Sequence, residues 1–136
     1  MISASVEIQV EFYDVDAMKV AWHGNYARFI EAARNALFQQ LDFGYEAMEA
    51  SGYAWPVVDL HIRYVRSAIL NQRIRVTATL VEWENRVRME FLIVDANSGE
   101  KLTKADSVQV AVDGRTGELQ FVVPDVFASK VKKALA

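Results

Sequence analysis

The chain has 136 residues, 52% of them hydrophobic, and its 15 basic against 18 acidic side chains give a formal net charge of −3 with an isoelectric point near 5.4. That length fits one domain, 1–136, with ample apolar material for a core; no apolar run is long enough to cross a bilayer and no secretory leader opens the chain, so a cytoplasmic location without a membrane span is expected. The absence of cysteine excludes disulfides, thiol nucleophiles and cysteine metal sites, two histidines are too few for a histidine-rich metal centre, and the lack of any basic block argues against nucleic acid as a partner.

The first element is a strand, since Val6, Ile8, Val10 and Phe12 alternate with Ser5, Glu7, Gln9 and Glu11. A loop over 13–24 follows. Tyr26, Phe29, Ile30, Ala33, Leu37 and Leu41 then recur at helical spacing, and Gly44 is the expected stop, with a shorter helix over 45–50. Three alternating patterns come next: Val58 to Tyr64, Ile74 to Leu80 and Val87 to Ile93. A fourth strand begins near Leu102 and runs through Val108, Val110 and Val112. Turn residues at Glu84-Asn85, Asn97-Ser98-Gly99 and Asp113-Gly114 separate the late elements. Leu119 to Val123 reads as a last short strand, and Pro124-Asp125 opens a terminal helix with Val126, Phe127 and Val131 on one side. One strand, one long helix and then consecutive strands on short turns predict an α+β architecture, an antiparallel sheet with one main helix packed on it.

The chemistry concentrates in Asp14-Val-Asp16-Ala-Met-Lys-Val-Ala-Trp-His23-Gly-Asn25-Tyr26, between the first strand and the long helix. A helix N-terminus offers unpaired N–H groups and partial positive charge, which suit an oxyanion. A carboxylate beside it attacks a carbonyl or activates water, so these are parts for acyl transfer or hydrolysis. Each residue also has an ordinary reading. A loop Asp commonly makes a turn or cap, and Asp14 competes with Asp16 for any role. Asn25 is a natural N-cap, Tyr26 a core residue, and Glu31 a charge on a solvated helix face or a group in the groove. Gly24 would permit close backbone approach to a substrate carbonyl.

This segment resembles the 4-hydroxybenzoyl-CoA thioesterase family of hotdog-fold proteins, and also its tol-pal-linked branch. The matching residues are Asp16, His23 seven positions on, Asn25-Tyr26 opening the helix, and the acidic Glu31. The resemblance implies a sheet wrapped around the long helix, with Asp16 as nucleophile or general base. It also implies that a backbone N–H at His23 meets the thioester oxygen, and it places Glu31 at the acyl pocket or the reacting centre; the His23 side chain offers a second role, orienting Asp16 or water or assisting the leaving thiolate. The tol-pal-linked branch often carries Tyr four residues before the Asp; that position here is Phe12, beside Tyr13.

His61 lies with Asp59 and Arg63 on the polar face of a strand; solvent, or a partner subunit, accounts for that face. Arg63, Arg66, Arg86 and Arg88 are candidates for CoA phosphates, because guanidinium matches phosphate geometry. The benzoyl-CoA branch places basic residues directly after a Glu-Trp pair, whereas Glu82-Trp83 is followed here by Glu84 and Asn85, and only Arg86 keeps the charge. That departure leaves room for a carrier protein with its phosphopantetheine arm as the acyl carrier. No Gly-x-Ser-x-Gly elbow and no phosphate loop of the Gly-x4-Gly-Lys type is present. The combined expectation is a hotdog acyl-thioester hydrolase acting on acyl-CoA or acyl-carrier-protein substrates, needing no cofactor and no metal, and assembled as a homodimer or homotetramer. A non-catalytic module that binds an acyl carrier or its pantetheine arm is the alternative, since a fold alone does not decide function.

Overall fold

In chain order the computed structural model, which describes residues 1–136, runs β1 (Ser3–Gln9), α1 (Tyr26–Gln40), α2 (Tyr45–Ala50), β2 (Tyr53–Ala54), β3 (Val57–Tyr64), β4 (Arg73–Glu82), β5 (Val87–Asp95), β6 (Lys101–Gln109), β7 (Val112–Asp113) and α3 (Asp125–Leu135). Five strands form one antiparallel sheet in the order β1-β4-β5-β6-β3, while β2 and β7 pair separately. Helix α1 lies against β1, β4 and β5, which gives the hotdog arrangement of sheet and central helix. No helix is long and apolar enough to cross a membrane.

The helical spacing read from the sequence puts Tyr26, Phe29, Ile30, Ala33 and Leu37 on the buried side of α1. They meet the inward residues of the central strands, among them Ile74, Val76, Met89 and Ile93, all buried. Each such large apolar side chain contributes roughly 1.5–3 kcal/mol relative to exposure. At the far end of α1, Phe38, Phe43, Trp55 and Phe127 interlock with ring centroids 5.2–6.3 Å apart, and this cluster docks α3.

Four local expectations are corrected. The reversal after α1 falls at Asp42, whose φ of 57° is left-handed; Gly44 has an ordinary φ of −73° and instead precedes α2. Leu119–Val123 forms no strand, only a single bridge from Leu119 to Val112, and Val123 N donates to Glu84 O at 2.9 Å. Phe12 does not continue the buried face of β1, because a 3₁₀ turn over Phe12–Asp14 breaks the alternation and leaves Phe12 exposed. The apolar face of β3 is not covered within one chain: Val58, Leu60 and Tyr64 are exposed and only Ile62 is half-buried. β3 is an edge strand, bonded to β6 alone.

The connection from β3 to β4 holds the loop that precedes α1. Val10 N donates to Gln72 O and Asn71 N to Val10 O, both at 2.8 Å. Further along, Leu70 N donates to Lys19 O at 3.1 Å and Ala21 N to Ala68 O at 2.8 Å. The chemically interesting loop is thereby tied to the β3–β4 connection at both of its ends.

Candidate active site

Asp14 and Asp16 are two residues apart and differ completely in surroundings. Asp14 is buried, and its carboxylate accepts the Glu11 N–H at 2.9 Å and pairs with Arg28 on the first turn of α1. Its carbonyl accepts from Trp22 N at 2.9 Å and from the Asn25 side-chain amide at 2.7 Å. Asp14 is the knot that ties the loop to the helix start. Asp16 is exposed, and one carboxylate oxygen accepts the Met18 N–H at 2.8 Å while the other makes no hydrogen bond within the chain. Its backbone is pinned by Asp16 N to Val20 O and Lys19 N to Asp16 O, each at 3.0 Å.

The helix begins before Tyr26, with a 3₁₀ turn over His23–Asn25. Its first internal donor is Asn25 N, which reaches Trp22 O at 2.8 Å. The N–H groups of His23 and Gly24 precede that donor and have no partner inside the helix, as the first amides of any helix must. His23 and Gly24 are both exposed. Trp22 packs against the glycine at 24: a Cβ there would lie 2.2 Å from the half-exposed Trp22 ring and would displace it from its place 5.0 Å from the His23 ring. The close approach anticipated for a substrate is thus made first by an indole. Asn25 makes no side-chain cap, because its amide is committed to Asp14 O. Tyr26 is buried, and its hydroxyl accepts the Ala68 N–H at 3.0 Å.

Glu31 stands on a different stretch of α1, its side chain 61% exposed and paired with the buried Arg34. Arg34 also donates to Ser107 Oγ at 3.0 Å, and its guanidinium lies 5.6 Å from the Phe91 ring centre. Burial pulls the Arg34 pKa down to about 10, still far above neutrality. Glu31, Arg34, Asn35, Tyr45, Met48 and Gln109 line a cavity of about 150 Å³ between α1, α2 and the end of β6. Arg34 went unread in the sequence although a signal was there: it falls four residues after Ile30 and three before Leu37, inside the apolar stripe, where a cation needs a partner.

On the opposite face of the sheet, His61 and Arg63 meet Arg88, Lys104, Glu90 and Asp106 around a cavity of about 140 Å³. Asp106 lies 3.4 Å from Arg88 and 3.8 Å from His61 Nδ1. Arg86 is not among these residues; it pairs with Glu82 at 3.1 Å. No three His, Asp or Glu side chains converge to hold a metal ion.

Comparison with known proteins gives this geometry a context. Residues 10–131 match the thioesterase-like superfamily. The Bacillus subtilis protein named "Putative acyl-CoA thioesterase YneP" is 30% identical over 107 residues, covering 79% of this chain and 78% of that protein. The crystal structure of a DHNA-CoA thioesterase from Staphylococcus aureus superposes with a TM-score of 0.87 at 27% identity, covering 99% of this chain and 92% of that one. Slr0204, a 1,4-dihydroxy-2-naphthoyl-CoA thioesterase from Synechocystis, superposes with a TM-score of 0.86 over 98% of each chain, and at 18% identity it shows the fold alone. The match is to the broad superfamily and does not single out the 4-hydroxybenzoyl-CoA branch whose motif the loop resembles. The chain belongs to the thioesterase-like superfamily of hotdog proteins.

Proposed function

We propose that the protein hydrolyses acyl thioesters, with Asp16 as the reacting carboxylate and the His23 and Gly24 N–H groups as the oxyanion site. One observation carries this reading: an exposed carboxylate with a free oxygen shares one short, pinned loop with two unpartnered amides at a helix start. In the general-base form, Asp16 takes a proton from water as the water oxygen bonds to the thioester carbon. The carbonyl oxygen becomes an oxyanion held by the amides. Collapse expels the thiolate, which is protonated to the free thiol, and leaves the carboxylic acid. In the nucleophilic form, an Asp16 oxygen bonds to the same carbon, the thiolate leaves, and water then cleaves the mixed anhydride. Each oxyanion donor of this type is typically worth about 3 kcal/mol in the transition state.

Two relatives are named for CoA thioesters, one as a putative acyl-CoA thioesterase and one as a DHNA-CoA thioesterase, which favours a CoA thioester over an acyl carrier protein as the substrate here. Glu31, beside the cavity that Arg34 and Gln109 help to line, is assigned to the acyl end. His61 and Arg63, with Arg88 and Lys104, are assigned to the phosphates, a role that Arg86 would share only from outside that cavity. We also propose a homodimer formed through β3. Its outer edge has no strand partner, its apolar face is uncovered, and Phe12, Tyr13, Met18 and Trp22 leave further apolar surface exposed in the segment that carries Asp16.

Purified protein offered a panel of acyl-CoA and acyl-carrier-protein thioesters should release free thiol catalytically from at least one CoA substrate. Tight binding without turnover across the panel would defeat the hydrolase reading and favour a non-catalytic module holding the pantetheine arm.

A further inference from the structure

The Tyr64 hydroxyl donates to the carbonyl oxygen of His23 at 2.9 Å. That oxygen belongs to the same peptide unit as the Gly24 N–H. The unit is planar and conjugated, so what is done to its oxygen is felt at its nitrogen. A donor on the carbonyl draws charge toward oxygen and makes the N–H at the other end a stronger donor, the cooperative effect seen along hydrogen-bond chains. The same bond fixes the plane in which that N–H points. The His23 oxygen also accepts the Tyr26 N–H at the helix start, so both of its lone pairs are engaged and the peptide has little freedom to rotate.

Tyr64 is itself well held. It closes β3, opposite Thr103 of β6, and the next amide, Val65 N, donates to Leu102 O at 3.0 Å. Its ring meets the buried Tyr26 edge to face, with centroids 5.0 Å apart and planes at 87°. Tyr26 is in turn bonded through its hydroxyl to Ala68 N. Burial, and the neighbouring Tyr26, raise the Tyr64 pKa above its usual value, so the phenol keeps the proton it donates. Packing alone does not call for this hydroxyl: half of Tyr64 is exposed, and water would satisfy its oxygen as well.

We infer that Tyr64 is a positioning residue that sets the direction and donor strength of the Gly24 N–H for the thioester oxyanion. The inference rests on the hydrolase reading above and adds a residue to it. Tyr64 touches neither substrate nor water in this role; it acts through one peptide plane.

The test compares wild type with Tyr64→Phe, which keeps the ring against Tyr26 and removes only the hydroxyl. On the best acyl-CoA substrate, kcat should fall by about tenfold, a fraction of the 10²–10³ lost when a whole oxyanion donor is removed, with KM and melting temperature nearly unchanged. A second measurement reads the donor directly. In the Asp16→Asn background, the carbonyl stretch of a bound ¹³C-labelled thioester should lie lower than in water, and Tyr64→Phe should return part of that shift. Wild-type kcat together with an unmoved carbonyl stretch in Tyr64→Phe would overturn the assignment while leaving the hydrolase reading intact. A fall in melting temperature with no change in the carbonyl stretch would make Tyr64 a structural residue and overturn it equally. If wild type turns over no thioester, both the assignment and the reading beneath it fail.

Discussion

The loop between β1 and α1 has two halves built in opposite ways. From Glu11 to Val15 the exposed rings of Phe12 and Tyr13 flank a backbone and an aspartate that are closed: a 3₁₀ turn, a buried carboxylate with an arginine and an amide as partners, and a carbonyl that holds both Trp22 and Asn25. From Asp16 to Gly24 it is open: Asp16, Met18, Trp22, His23 and Gly24 are all exposed, and Asp16 keeps one oxygen free. The same residue type, aspartate, serves structure in the first half because every acceptor is used. In the second half it is available for chemistry because one is not. A buried carboxylate is tolerated only when its partners are present, and those partners then deny it to a substrate.

The largest expected effect tests the open half. Asp16→Asn keeps the shape and removes the charge, so kcat should fall by about 10³-fold or more while the melting temperature stays within about 1 °C. The result that would reverse the comparison is a fully folded Asp14→Asn that has lost turnover beside an Asp16→Asn that keeps it.

The open half also carries apolar surface that a single chain leaves wet, and β3 leaves an unpaired edge. Replacing Val58 and Leu60 together with Lys puts two charges on that edge strand. The proposed dimer should dissociate under light scattering, and activity should fall by about 10²-fold if the partner helps to close the site. Wild type that runs as a monomer at working concentration with full turnover would remove the dimer from the account.

The closed half should respond in stability instead. Asp14→Asn leaves Arg28 without its counter-charge and weakens the bond to Glu11 N, a change of about 2 kcal/mol. For a chain of this size that is a drop of about 6–8 °C in melting temperature. Activity measured well below the transition should survive to within several-fold. Thermal melts of the two Asn variants side by side would separate the halves in one experiment.

The sequence carried the repeating features well, because periodicity is local. The apolar spacing of α1 and the alternation in β4 and β5 mark residues that are buried in the structure. It failed where burial depends on distant partners. The alternation in β3 is real, but what covers Val58, Leu60 and Tyr64 is not in the chain itself. It also failed where two polar residues compete for one job. Asn25 has the composition of an N-cap, yet its amide is taken by Asp14 O, eleven residues back. Nothing local separates Asp14 from Asp16; only the family resemblance, through the seven-residue spacing to His23, favoured Asp16, and the burial of Asp14 adds a physical reason to favour Asp16. Tyr64 read as one more apolar residue of a strand, since its hydroxyl contact joins positions 41 residues apart.

Glu31 gives the smallest and most informative expected effect, because it belongs to neither half. It is exposed like Asp16 but committed like Asp14, since the buried Arg34 leans on it for charge. A groove-facing carboxylate with no structural partner would change substrate choice and leave stability alone. A purely solvated one would change neither. The pairing with Arg34 predicts a third outcome. Glu31→Gln should lower stability by about 1 kcal/mol, the modest value expected when one member of the pair is largely in water. It should also alter kcat/KM by several-fold, unequally across acyl groups, because Arg34 then offers its unmatched charge to whatever enters the cavity that both residues line. Acyl groups bearing a carboxylate or a hydroxyl should gain relative to plain alkyl chains. Measuring kcat/KM for Glu31→Gln across the thioester panel, beside its melting temperature, separates the three cases. Uniform wild-type values with an unchanged melt would return Glu31 to the solvated surface and leave the acyl end of the site to other residues.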